Sequence, residues 1–136
     1  MKLSPHEIAY VALQVGWQLE PEATQIEFVA TVLAESGGDT DVIARSTTGD
    51  NIGQRDHGLG QISGRWQWPH LVEHPNWRDP WVNLAICYSI FIDAGRTFTP
   101  WHANTSGAWH TYEPDARFGV AHPFPPPDIW SLPRRT

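Results

Sequence analysis

Only one cysteine, Cys87, occurs in the 136 residues, and acidic side chains outnumber basic ones. A single thiol excludes an internal disulfide, and its place within an apolar run predicts a buried structural thiol. The net charge of −6 argues against nucleic acid as the partner, because phosphate binding needs a basic face. No apolar run approaches the ~20 residues of a membrane span, so membrane insertion is not expected.

The N-terminal segment, residues 1–7, is charged and lacks the apolar stretch of a secretory signal. We therefore expect a protein made in the cytoplasm without a signal peptide. If its target is extracellular, another machine must deliver it.

Eight tryptophans make the chain unusual in composition. Tryptophan is planar and amphipathic, so a cluster can form core, a partner interface or a platform for sugar stacking. Most of these side chains are expected in the core. Five of them fall within 36 positions: Trp66, Trp68, Trp77, Trp81 and Trp101.

Capping signals and apolar spacing predict two helices in the first 40 residues. The segment Ser4-Pro5-His6-Glu7 has the pattern of a capping box, and Gly16 is expected to end this first helix. The second helix is predicted from residues 20–22 to Gly37-Gly38. Its apolar residues cover two faces, which indicates a nearly buried central helix.

Two further helices are predicted in the second half of the chain. One begins at Asp79-Pro80 and ends at Gly95, and its polar Asn83 is expected to bond nearby backbone. A shorter helix is predicted to begin at Thr99-Pro100. The expected core stripe of the longer helix is Trp81, Leu84, Ala85, Tyr88 and Ile92, broadened by Ile86 and Phe91.

The remaining segments have no helical period. Residues 39–63 are predicted to form a polar loop or a short irregular hairpin, and residues 64–80 a loop. Residues 121–136 are rich in proline, which is typical of a linker or of a strap across a domain. The predicted fold class is therefore mainly α and compact, with one domain over residues 1–120 and a tail over residues 121–136.

Glu35 lies in the last turn of the predicted central helix. The carbonyl end of a helix carries partial negative charge, so the pKa of a carboxyl group there should rise. A raised pKa is what a general acid requires.

The pair Glu35-Ser36, the segment Gly58-Leu59-Gly60-Gln61-Ile62, the helix with Asn83-x-Ala85, and Phe98-x-Pro100-Trp101 together resemble the lysozyme-like superfamily. The sequence is more similar to its branch of lytic transglycosylases and goose-type lysozymes, in the versions found in phage endolysins and tail-associated lysins. This resemblance implies a two-lobed fold whose cleft binds peptidoglycan glycan strands. It implies cleavage of the β-1,4 bond between N-acetylmuramic acid and N-acetylglucosamine, by lytic transglycosylation or hydrolysis, without cofactor or metal.

The resemblance also implies roles for individual residues. Glu35 would be the acid/base, Ser36 and Gln61 would line the cleft, and Ser106 and Tyr112 would belong to its floor. The family's Ala-Tyr-Asn-Ala-Gly element is absent, and Trp101-His102-Ala103-Asn104 stands in its place. Trp66 and Trp101 are the candidates for stacking on sugar rings.

It further implies a protein made in the host cytoplasm that reaches the wall through membrane holes or within a virion, with further domains of a longer phage protein as partners.

A second carboxylate distinguishes the two reactions. Hydrolases usually use two carboxyl groups ~5–9.5 Å apart, whereas a transglycosylase can use one. Asp50 and Asp56 are the candidates, and both also fit local turn or pairing roles. The choice between them, and between the reactions, stays open.

Two other functions fit parts of the sequence. His70-Leu71-Val72-Glu73-His74 matches the inverted zinc-peptidase pattern, but Pro69 and Pro75 leave room for barely one helical turn. No clear third ligand follows at helical spacing, although Asp79 and Asp93 lie further along the chain. A non-catalytic wall-binding module would instead use Trp66, Trp68 and Trp101 for stacking and would need no acid at a helix end.

Overall fold

The computed structural model describes residues 1–47 and 53–127, and these are mainly helical, as predicted. Three short strands follow the second helix: β1 (Ile43–Arg45), β2 (Arg55–His57) and β3 (Ile62–Ser63). No helix within the described ranges is long and apolar enough to cross a membrane. The helices are α1 (Pro5–Ala12), α2 (Glu22–Ser36), α3 (Trp68–Glu73), α4 (Pro80–Asp93), α5 (His102–Thr105) and α6 (Glu113–Ala121), with 3₁₀ helices at Trp17–Leu19 and Ala108–Tyr112.

Helix α2 is the central element, and its predicted burial is confirmed. It contacts α1, α5, α6 and the second 3₁₀ helix. It ends where predicted, because Gly37 adopts a left-handed φ of 64° and donates its N–H to the Leu33 carbonyl at 2.9 Å. Its buried side chains are Ile26, Phe28, Val29, Ala30, Thr31, Val32 and Leu33.

An aromatic cluster joins α2 to α4 and to the segment before α5. Trp17 stacks on Phe28 with ring centroids 3.7 Å apart, and its indole N–H donates to the Leu84 carbonyl at 3.3 Å. Phe98 packs against Trp17 and also against Trp101. Trp17, Trp77 and Trp101 are buried, whereas Trp66 and Trp68 are exposed.

The segment after α2 forms a three-stranded antiparallel sheet in the order β1-β2-β3. Ile43 pairs with His57, and Asp56 pairs with Ser63. The prediction of a loop or irregular hairpin therefore missed the third strand. Strands of only two or three residues are too short to show an alternating apolar pattern that a sequence could reveal.

Helix α4 begins at Pro80 as predicted, with the Asp79 carboxylate accepting the Trp81 N–H at 2.8 Å. The predicted buried stripe is confirmed at Leu84, Ile86 and Phe91, but it is wrong at Ile92, which is 36% exposed. Trp81, Ala85 and Tyr88 are only half-buried. Apolar residues lie on nearly every side of α4, so their spacing in the sequence did not identify the side that packs against the core. The residues that α4 buries are Pro80, Asn83, Leu84, Ile86, Cys87, Ile90 and Phe91.

Three helix boundaries also differ from the predictions. Helix α1 ends at Ala12, and the chain reaches Gly16 through turns with i→i+3 hydrogen bonds. Residues 64–80 were predicted to form a loop, but α3 forms there because Pro69 is tolerated in the first helical turn. Helix α5 begins at His102, after the predicted Thr99-Pro100 start.

The described part of the tail, residues 121–127, lies against α1. Phe124 stacks on the His6 ring with centroids 5.0 Å apart and donates its N–H to the His6 carbonyl at 3.4 Å. The His6 imidazole also bonds the His122 carbonyl at 2.8 Å. This part is therefore a strap across the domain, and the predicted boundary at residue 120 falls inside α6.

Asn83 fixes the loop between β2 and β3 against α4. Its side-chain oxygen accepts the Gly60 N–H at 2.9 Å, and its amide donates to the Trp77 carbonyl at 3.0 Å and the His57 carbonyl at 3.3 Å. The prediction that Asn83 bonds backbone is confirmed. The loop approaches α4 so closely that a Cβ on Gly60 would overlap the Cys87 sulfur.

We expect Asn83→Ala to lower the free energy of unfolding by about 2–3 kcal/mol, because buried backbone groups would lose their partner. Urea denaturation measures the change. Ser89→Ala, at an exposed position of the same helix, should change it by less than about 0.5 kcal/mol. A loss in Asn83→Ala no larger than in the control would contradict this role.

Candidate active site

Glu35 lies in the last turn of α2, where the helix meets the sheet and α5. The neighbouring Ser36 hydroxyl donates to the Val32 carbonyl at 3.0 Å and accepts the Gly38 N–H at 3.2 Å. Ser36, predicted to bind substrate, thus closes the end of the helix with its hydroxyl. It fixes the backbone that carries Glu35.

The Glu35 carboxyl group is mostly shielded from water. Burial raises its pKa from 4.5 to about 7, and the negative charge of Asp56 adds to the rise. The Ala103 N–H of α5 donates to the carboxylate at 3.3 Å and opposes the rise. At neutral pH the group is therefore divided between its acid and its carboxylate form.

The predicted direction of this shift is confirmed, but the principal cause is different. The sequence pointed to the carbonyl end of the helix, whereas desolvation is the largest cause. A carboxyl group with a pKa near the working pH can donate a proton and later accept one.

The structure describes one of the two candidate second carboxylates, Asp56. Asp56 lies half-buried on β2, and burial raises its pKa while the neighbouring His57 lowers it. Its charge also acts on Glu35, so the structure brings these two acids into one electrostatic site. Asp50 lies outside the described residues.

The Cys87 thiol near Glu35 is uncharged. Cys87 is fully buried, and its burial raises the pKa of the thiol, with a further contribution from the Glu35 charge. The thiol is therefore protonated at neutral pH and places no charge next to Glu35. The expected buried structural thiol is confirmed.

Gln61, Trp66 and Trp101 line one cavity of about 260 Å³, together with Ser63 and Gln67. They contribute differently. Trp66 is 62% exposed, whereas Trp101 is 3% exposed and donates its indole N–H to the Gly60 carbonyl at 2.9 Å. Trp101 is therefore a core residue with only an edge at the cavity, and it offers no open face for stacking.

Gln61 was expected to face a ligand, but it is 8% exposed. Its amide donates to the Gly58 carbonyl at 3.0 Å and the Val42 carbonyl at 3.3 Å. Its backbone has a left-handed φ of 49°. The Gln61 side chain therefore fixes the conformation of the loop between β2 and β3.

Ser106 and Tyr112 lie beyond α5. Ser106 is exposed, and its hydroxyl accepts the Ala108 N–H at 3.4 Å at the start of the second 3₁₀ helix. Tyr112 ends that helix and is 36% exposed. The Glu35 carboxylate accepts a hydrogen bond from the backbone N–H of Ala103 in α5.

The histidine pair of the zinc-peptidase pattern lies on α3. His70 and His74 line a cavity of about 390 Å³ whose other walls are residues of α4. Among residues 1–47 and 53–127 there is no group of three or more His, Cys, Asp or Glu placed to hold a metal ion. Asp79 serves as the cap of α4. The pattern therefore does not assemble a metal site within these ranges.

Sequence reasoning missed two residues of the site, Ala103 and Asn104. Ala103 acts through its backbone N–H, for which no side chain gives a signal. Asn104 binds α2 through its amide, and only its position in the segment that replaces the family element drew attention to it.

Comparison with protein families, curated proteins and solved structures finds no match to this chain. The lysozyme-like resemblance has no support from a relative, so the case for a function depends on the geometry around Glu35.

We expect the Glu35 carboxyl to titrate near pH 7, well above the ~4.3 of an unperturbed glutamate. Carbon-detected NMR of the side-chain carboxyl measures this midpoint. An ordinary or lowered value would contradict the buried acid.

Glu35→Gln should stabilise the protein at neutral pH. Because the folded pKa exceeds the unfolded one, the native state binds more protons, and wild-type stability falls as pH rises from about 4.5 to about 7. The full loss above that range is about 3 kcal/mol, and the glutamine variant avoids it. Urea unfolding at pH 4 and pH 8 should show near-equal stabilities at the lower pH and a more stable variant at the higher one.

Glu22→Gln is the matched control, since it removes a charge from an exposed site on the same helix. It should change stability by only a few tenths of a kcal/mol at either pH. An equal pH effect in both variants would show that desolvation at Glu35 is not the cause.

Proposed function

We propose that this chain cleaves the β-1,4 bond between N-acetylmuramic acid and N-acetylglucosamine in peptidoglycan. The observation that carries the proposal is the Glu35 carboxyl, shielded from water, with a pKa of about 7. The chemistry of glycoside cleavage needs such a group, because the leaving oxygen must receive a proton as its bond breaks.

Glu35 performs both proton transfers. As an acid it protonates the glycosidic oxygen, while the bond from the anomeric carbon to that oxygen breaks and its electron pair stays on the oxygen. The resulting carboxylate then takes a proton from the attacking nucleophile. That nucleophile is water in hydrolysis, or the sugar's own 6-hydroxyl in transglycosylation.

Asp56 supports the hydrolytic version. Its carboxyl shares the electrostatic site with Glu35 and is itself half-buried. In that version Asp56 stabilises positive charge at the anomeric carbon or positions the water. In the transglycosylase version the substrate's N-acetyl group takes this role, and Asp56 is dispensable.

The exposed ring of Trp66 suits a polymer of sugar rings. The β1–β3 sheet follows α2 in the chain and carries Asp56, whose charge acts on Glu35, and we propose the helices and this sheet as the two lobes of a lysozyme-like fold. Trp66 has an exposed ring beside the cavity that Ser63 and Gln67 line, and it would stack on a sugar. The tail would connect to further domains of a phage lysin that is made in the host cytoplasm and reaches the wall through membrane holes or in a virion.

A second candidate is a wall-binding module without catalysis. Trp66 and Trp68 are 62% and 59% exposed, and such faces can bind glycan alone. If the chain only binds the wall, replacement of Glu35 should not change its effect on the wall.

Digestion of purified peptidoglycan followed by mass spectrometry tests the proposal. Wild type should release muropeptides, with 1,6-anhydro ends from transglycosylation or reducing ends from hydrolysis. Glu35→Gln should lower the rate by about 10²–10⁴-fold, because the proton donor is lost, and Glu22→Gln should retain full activity. Asp56→Asn should abolish release only if reducing ends are the product.

Glycan pull-down with Glu35→Gln separates the two candidates. Retained binding with lost cleavage fits the enzyme. Undiminished wall clearance by this variant would refute the enzymatic function.

A further inference from the structure

Helix α5 covers Glu35 but has only four residues, His102–Thr105. A helix this short cannot hold its own conformation in water, because nucleation costs more than one turn of hydrogen bonds returns. Contacts with other elements must therefore hold it in place.

The contacts lie along one row of α2. Glu27, Thr31 and Glu35 are spaced four residues apart, so they follow one another on the same helix face. The Asn104 amide donates to the Glu27 carboxylate at 2.8 Å and to the Thr31 hydroxyl at 3.1 Å. The Ala103 N–H donates to Glu35, the last member of the row.

The hydrogen-bond donors and acceptors along this row match one another. Thr31 donates its hydroxyl proton to the Glu27 carbonyl at 2.8 Å and so can only accept from Asn104. Both protons of the Asn104 amide then have acceptors on α2. The hydrogen bond to the carboxylate is charge-assisted and so stronger than a neutral one.

We propose that Asn104 is a positioning residue, whose side-chain amide clamps α5 onto α2 and so keeps the Ala103 N–H and the body of α5 over the Glu35 carboxyl. The clamp stands on these contacts alone. Its consequence for glycan cleavage rests on the proposed function.

Two effects of the clamp on the Glu35 pKa oppose each other. The Ala103 N–H lowers it, and burial, of which α5 supplies a part, raises it. Release of α5 would remove the hydrogen bond and that part of the burial, so the Glu35 pKa would move away from about 7. Among the described residues, Asp56 on β2 and Cys87 on α4 interact electrostatically with Glu35, while His102 on α5 and His110 on the next helix are exposed.

Asn104→Ala tests the clamp through two measurements that need no substrate. The Glu35 pKa, followed by NMR, should move by about half a unit or more from about 7. Amide exchange at Ala103 should become about tenfold faster or more, since local opening is easier. Thr31→Val removes one acceptor without changing the shape of the side chain and should shift both quantities less, in the same direction.

Thr105→Ala is the matched control, since this exposed residue of α5 bonds only within its own turn through its hydroxyl. It should leave the Glu35 pKa and the Ala103 exchange rate unchanged. In active preparations, the alkaline limb of kcat/KM in Asn104→Ala should move together with the Glu35 pKa. A folded Asn104→Ala whose Glu35 pKa and Ala103 exchange rate both equal those of the wild type would overturn the proposal.

These outcomes separate the clamp from the enzyme. In Asn104→Ala, a shifted Glu35 pKa and faster Ala103 exchange, together with no glycan cleavage by wild type, would keep the clamp and refute the proposed function. An unchanged pKa and exchange rate, together with cleavage that depends on Glu35, would do the reverse.

Discussion

Desolvation of one carboxyl group is the constraint on which the site depends. Glu35 has its carboxyl among α2, the buried thiol of α4 and the backbone of α5, and burial raises its pKa to about 7. The same shielding makes ionisation costly, so the native state at neutral pH is less stable than it would be with a neutral side chain there. The rest of the fold must offset that cost.

The offset comes from the burial of α2 and its aromatic neighbours. A helix with seven buried side chains, packed on Trp17 and its ring partners, fixes the position of its last turn. Complete burial of a large apolar side chain contributes about 1.5–3 kcal/mol relative to exposure, so a few such residues exceed the cost at Glu35. The middle of α2 thus supplies burial that stabilises the fold, and its last turn carries Glu35.

The walls around Glu35 use neutral groups and backbone. Cys87 contributes a protonated thiol, Ala103 a main-chain N–H, and Asn83 holds the Gly60 loop by hydrogen bonds. A lysine or arginine at any of these positions would favour the carboxylate and lower the pKa. The charge of Asp56 acts in the opposite direction and favours the acid form.

Local signals in the sequence were sufficient to predict the capped starts of α1 and α4, the glycine that ends α2, the burial of that helix and Cys87, and an acid in its last turn. Each of these depends on neighbours within a few residues or on the chain's own apolar pattern. The inner face of α4, the burial of Trp101, the third strand and the Ala103 N–H at Glu35 depend on contacts between distant segments. Only the tertiary structure decided them, because an evenly apolar helix, a strand of two residues or a backbone donor has no distinguishing side-chain pattern.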